Sequence, residues 1–127
     1  MNEPVWLLKP AVIAAHGMLI DRFGGLDGIR DEGLVDSALA RPAHYYQYKN
    51  CTQVPQLAAA YAAGIIRNHP FVDGNKRTGF ITAYMFLDLN GFALRADELS
   101  ATEMTQSLAA SIVSEKEYAN WLEKNLG

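Results

Sequence analysis

A chain of 127 residues, half of them apolar and a fifth charged, can bury a hydrophobic core and is too apolar to stay disordered. Its formal net charge of −3 argues against direct nucleic-acid binding, which needs a strongly basic surface, so any anion site must be local. The single cysteine, Cys51, excludes an intrachain disulfide and a cysteine metal cluster, and it fits a reducing cytoplasm.

The opening stretch MNEPVWLLKPAVIAAHG lacks a basic leader, and Lys9-Pro10 interrupts its apolar run, so no signal peptide is expected. From Pro10 on, Val12, Ile13, His16, Leu19, Ile20 and Phe23 recur at helical spacing, and Gly24-Gly25 stops that helix. His16 lies on the apolar stripe and reads as a core histidine with a satisfied ring. GGLDGIRD is turn chemistry, with Asp31 placed to cap a second helix carrying Leu34, Val35, Ala38 and Leu39. Pro42 is expected to close that helix, leaving AHYYQYKNCTQVP as an irregular loop whose tyrosines, Tyr45, Tyr46 and Tyr48, cap the core. The alanine-rich run Leu57–Asn68 reads as a buried helix that lets a neighbour approach closely, and it should end at or just before His69, the residue preceding Pro70.

A fourth helix is predicted from near Asn75 to Asn90, with Gly91 as its cap and Phe80, Ile81, Tyr84, Phe86, Leu87 and Leu89 making it apolar on most sides. Amphipathic helices follow over Ala96–Ser111 and Ser114–Asn125, the last opened by a Ser114/Glu117 capping box. Trp6 and Trp121 read as packing residues near the two ends. No run alternates at period two, and none approaches the roughly 18 uninterrupted apolar residues of a membrane span. The expectation is one all-α domain over residues 1–127, without repeats or linkers.

The chemistry concentrates in HPFVDGNKRTG, His69–Gly79, between two of these helices. The first N–H groups of a helix are unpartnered and together act as a partial positive charge, so Lys76 and Arg77 there should repel that end. They fit if an anion such as phosphate occupies it, gripped by backbone N–H groups, an ammonium and a guanidinium. Gly74 can turn successive amides toward one centre. Asp73 offers a carboxylate beside those phosphates, the usual partner of magnesium. His69, at the end of the preceding helix, offers an imidazole to take a proton from an incoming hydroxyl. Base, metal ligand and phosphate cradle within nine residues describe phosphoryl or nucleotidyl transfer. A Walker A loop is excluded: Asn75 separates Gly74 from Lys76, and a helix rather than a strand precedes.

This stretch resembles the signature of the Fic/Doc superfamily, and its Lys-containing form resembles the Doc (death on curing) toxins. The segments RFGGLDGIRDEGLVDSALARP, AYAAGIIRNHPFVDGNKRTGF and FLDLNGF are similar to the same family. The resemblance implies a compact helical fold with a phosphate-binding loop between two core helices. It also implies His69 as base, Asp73 as magnesium ligand, and Gly74, Asn75, Lys76 and Arg77 as the nucleotide grip. Adenylylating members carry Gly where this chain has Lys76, and a second Arg where it has Phe80; both departures imply ATP bound in the reversed sense and kinase rather than adenylyltransferase chemistry. The expected target is a threonine of elongation factor Tu. The inhibitory Ser/Thr-x-x-x-Glu-Gly/Asn segment of many Fic proteins is not found in the sequence, so inhibition is expected from the tail of a separate antitoxin. A flap at Tyr45, Tyr46 and Tyr48, against which a target docks, is the family reading of the tyrosine cluster. A non-catalytic module that binds a nucleotide or an acidic peptide is the remaining alternative.

Overall fold

The computed structural model describes residues 2–127 and forms six helices, with no strand among the described residues. They are α1 Lys9–Phe23, α2 Glu32–Tyr48, α3 Val54–Asn68, α4 Asn75–Leu89, α5 Glu98–Ala109 and α6 Glu115–Lys124. The all-α expectation holds, and the extended pairings are two isolated bridges, Ile29 with Phe71 and Leu94 with Leu126. No helix is long and apolar enough to cross a membrane among these residues.

Helix α3 is the axle. Every residue from Leu57 to Ile66 is buried, because α2, α4, α5 and α6 all pack against it. Its alanines and Gly64 keep it thin, so the neighbouring backbones come close and many small contacts replace a few large ones. A Cβ on Gly64 would sit 3.3 Å from the Ala38 backbone of α2. On the other side, a Cβ on Gly79 of α4 would lie 2.5 Å from Ile66 Cγ1 and 3.1 Å from the Ala62 carbonyl.

Helix α4 is expected to be apolar on most sides, but it does not bury all the large residues that make it so. The face against α3 carries Thr78, Gly79, Thr82, Ala83, Phe86 and Leu87, mostly small. Phe80, Ile81 and Tyr84 turn the other way and stay partly in contact with water. Close helix approach selects small residues, and the larger ones are displaced to the opposite wall.

Helix ends follow local chemistry. Asp31 accepts from the Leu34 N–H at 3.1 Å, and Asp97 accepts from the Ser100 N–H at 2.7 Å. The Ser114/Glu117 capping box is complete. Helices α1 and α3 open with a proline in the first turn.

Two helix boundaries also depart from expectation. Helix α2 does not close at Pro42 but runs through it to Tyr48, so Tyr45, Tyr46 and Tyr48 are helical rather than part of an irregular loop. Proline removes one ladder bond, a cost of roughly 3 kcal/mol. Tertiary ties offset it: Ala38 and Pro42 are buried, and Arg41 donates to the Ala60 carbonyl at 3.1 Å and pairs with Glu115 at 2.6 Å. The third helix likewise starts earlier than expected, at Val54.

Candidate active site

The chain from His69 to Gly74 is a tight link between α3 and α4, and three sets of bonds hold it. Asn75 supplies the first. Its Oδ1 accepts from the Phe71 N–H and its Nδ2 donates to the Phe71 carbonyl, each at 3.0 Å, while Phe71 itself is buried as a plug under the loop. The buried amide is therefore committed to the loop, and what Asn75 can offer an anion is its backbone N–H. Removing that amide leaves two buried backbone groups unpartnered. Asn75→Ala is expected to destabilise the fold by about 2 kcal/mol or more, read as a lowered urea midpoint at unchanged slope.

His16 supplies the second set. It is 2 % exposed, stacks on Phe71 with ring centroids 4.0 Å apart, and donates from Nε2 to the Asp73 carbonyl at 2.8 Å. It is a satisfied core histidine, as its place on the apolar stripe implied, and its partner is the loop. The third set comes from the turn before α2, which sequence reading took for turn chemistry alone. Val72 N–H donates to the Gly28 carbonyl, and the Arg30 and Asp31 N–H groups donate to the Pro70 carbonyl. The Arg30 guanidinium reaches the carbonyls of Asn68 and His69. No periodicity marks these pairings. The sequence signal that could have raised them is a dense turn motif followed by an arginine no helix uses.

His69 caps α3 in the left-handed region, with φ 49° and ψ 57°, and its side chain is exposed. Asp73 accepts from the Leu26 N–H through Oδ2 at 3.2 Å and from the Gly74 N–H through Oδ1 at 2.8 Å. Those two N–H groups, reinforced by the charge of Arg77, hold its carboxyl below the usual carboxylate range. Gly74 is the N-cap of α4 at φ 75°, a conformation that favours glycine.

The start of α4 differs from every other helix start among the described residues: neither a side-chain cap nor a proline serves it. Lys76 and Arg77 stand in its first turn, both exposed. The Arg77 guanidinium lies over the Phe23 ring, 4.4 Å from its centroid, at the C-terminal end of α1.

These groups open on one cleft of about 810 Å³. His69, Asp73, Gly74, Asn75, Lys76 and Arg77 line it together with Phe23, Phe80, Ile81, Tyr84 and residues of α5. The size suits a nucleotide-sized ligand, and the lining combines the charged loop residues with apolar side chains and the polar Glu98, Thr102, Thr105 and Gln106. Tyr45, Tyr46 and Tyr48 are not on its walls. Tyr45 lines a separate hollow of about 480 Å³ with Cys51 and Glu115; Tyr46 packs on Trp6; Tyr48 is 75 % exposed.

A divalent ion would find no group of three or more His, Cys, Asp or Glu side chains among the described residues. Asp73 alone suits magnesium bound chiefly through substrate phosphates, since each of its oxygens accepts one N–H and keeps a lone pair free. Gly25 keeps that side open: a Cβ there would stand 2.7 Å from Asp73 Oδ2.

Comparison with known proteins agrees with the architecture. A profile described as the Fic/DOC family matches residues 6–87, from the segment before α1 to near the end of α4 and including the whole loop. The chain is 46% identical over 76 residues to a protein named Toxin Doc from Mycolicibacterium smegmatis, a match covering 59% of this chain and 58% of that one. It is 31% identical over 116 residues to Protein kinase doc of Escherichia phage P1, covering 91% of both chains. With six helices, a loop closed on itself between α3 and α4, and these matches over most of its length, the chain belongs to the Fic/DOC family.

Proposed function

We propose that this protein is a Doc-type toxin acting as a protein kinase: it transfers the γ-phosphate of ATP to a hydroxyl of a translation factor, with a threonine of elongation factor Tu as the expected target. The observation that carries the reading is the uncapped start of α4, flanked by Lys76 and Arg77 and next to the ionised Asp73. The other helix starts among the described residues carry an acidic or hydroxyl cap or a first-turn proline, and an anion would take their place here. The names of the two relatives support the same direction.

In this mechanism the open N–H groups of α4, the Lys76 ammonium and the Arg77 guanidinium hold the phosphates. Asp73 would hold Mg²⁺ against them. When bound, that ion neutralises charge on the phosphate oxygens and orients them. The exposed imidazole of His69 takes the proton of the attacking hydroxyl. A bond forms between that oxygen and the γ-phosphorus, the bond to the β-phosphate oxygen breaks, and ADP leaves. The part of the cleft lined by Ile81 and Tyr84 receives the rest of the nucleotide. Inhibition comes from a separate antitoxin, and the site of action is the cytoplasm.

Lys76 and Phe80 disfavour adenylyl transfer. In the resemblance to adenylylating family members, the first stands in place of a Gly and the second in place of an Arg that would grip the far phosphate. Labelled ATP decides between the two. Incubation with elongation factor Tu is expected to move label from the γ position to protein, and label arriving from the α position would overturn the kinase in favour of an adenylyltransferase. Binding of ATP with no transfer to any protein of a bacterial extract would instead favour a non-catalytic module.

A further inference from the structure

We infer that Arg30 is the positioning residue of His69, a single guanidinium that locks both peptide bonds flanking the base. This rests on the proposed role of His69. Arg30 stands 39 positions away in the chain, in the turn before α2, yet its Nη2 donates to the Asn68 carbonyl at 2.8 Å and its Nε to the His69 carbonyl at 2.6 Å. No carboxylate pairs with it among the described residues, so its charge is spent on these two backbone oxygens.

The direction of a side chain is set by the two peptide planes on either side of its Cα. The plane before His69 is held at both ends: the His69 N–H donates to the Ile65 carbonyl at 3.2 Å, and the Asn68 carbonyl takes Arg30 Nη2. The plane after it is held by Arg30 Nε and, one residue on, by the Arg30 and Asp31 N–H groups on the Pro70 carbonyl. A planar guanidinium presents its N–H groups at fixed angles, so it sets the two carbonyls relative to each other. A residue serving only to cap α3 would stop at the orphan carbonyls of the last helical turn. Arg30 goes beyond them, to the carbonyl of the left-handed residue itself. Such a residue keeps its φ of 49° only while its surroundings hold it there. Released, the backbone relaxes and the imidazole swings away from the mouth of the cleft.

Arg30→Met keeps the stem and removes both donors; Arg30→Lys keeps the charge and can serve one carbonyl at a time. Three readouts test them: the amount of protein that arrests bacterial growth, the affinity for magnesium with the non-hydrolysable analogue AMPPNP by calorimetry, and backbone NMR shifts. Arg30→Met is expected to need on the order of tenfold more protein for arrest. Its affinity for the analogue should stay within about twofold, since the phosphate grip lies on α4. Shifts of residues 68–70 move and those of 75–77 do not. Arg30→Lys falls between Met and the parent. Arrest by Arg30→Met at the parent's dose overturns the inference, as does a loss of arrest matched by an equal loss of nucleotide affinity. Should Arg30→Met not fold, Arg30→Lys decides alone: intermediate arrest supports the inference and parental arrest overturns it. His69→Ala separates the two levels. Arrest kept by His69→Ala, or a parent that does not arrest growth, sinks the proposed function and this inference with it. Arrest lost by His69→Ala but kept by Arg30→Met sinks this inference alone.

Discussion

Cells induced to make the His69→Ala variant are expected to grow like uninduced cells, while the purified variant unfolds within a few degrees of the parent. Loss of a positioned general base lowers such reactions by about 10²–10⁴-fold, enough to take a toxin below its threshold. The fold is spared because the imidazole is exposed and caps α3 through its backbone alone. A chain needing only a helix stop would place glycine at this left-handed position, where an L side chain costs about 1–2 kcal/mol. Its presence there, pinned from both sides, argues that the ring is wanted. Growth arrest that persists undiminished in His69→Ala would end the kinase reading.

The second large effect concerns the seam beneath the loop. Gly79→Val is expected to lower stability by about 3 kcal/mol, a shift of roughly 10 °C in the unfolding midpoint. The added Cβ would enter the space of Ile66 Cγ1 at 2.5 Å, and Ile66 is fully buried with nowhere to retreat. The Ala62 carbonyl at 3.1 Å blocks the other escape, because moving it separates α3 from α4. Gly79→Ala feels the same clash, offset by up to about 1 kcal/mol of helix propensity, and so falls between. Trimming the partner is the control: Ile66→Ala should relieve part of the penalty, giving a non-additive double-mutant cycle. Equal midpoints for Gly79→Val and the parent would show that the seam is looser than its geometry states.

Both effects arise from features that differ in how legible they were. The loop chemistry could be read because its parts are contiguous: Pro70 ends one helix, the next starts five residues later, and His69, Asp73, Gly74, Lys76 and Arg77 line one cleft. The capping box of α6 and the Asp31 cap of α2 are equally local. What escaped is what depends on elements meeting in space. Pro42 reads as a stop, and only the burial of its turn against α3, with Arg41 reaching Ala60 and Glu115, carries the helix onward to Tyr48. Arg30 looks like a solvated turn residue until Asn68 and His69 are folded beneath it. The buried stripe of α4 was misjudged for a related reason: hydrophobicity marks what can be buried, while close approach to α3 selects for size.

That division of α4 carries a consequence for how the protein can change. Past its first residue, Asn75, which serves both, the α4 residues packed on α3 (Gly79, Thr82, Ala83, Phe86) and those lining the cleft (Phe80, Ile81, Tyr84) are different side chains, so the second group can change with little effect on the first. Exchanging Ile81 or Tyr84 reshapes the guest the cleft will accept without disturbing the join at Ile66, and a lineage can therefore explore new tastes on an unaltered chassis.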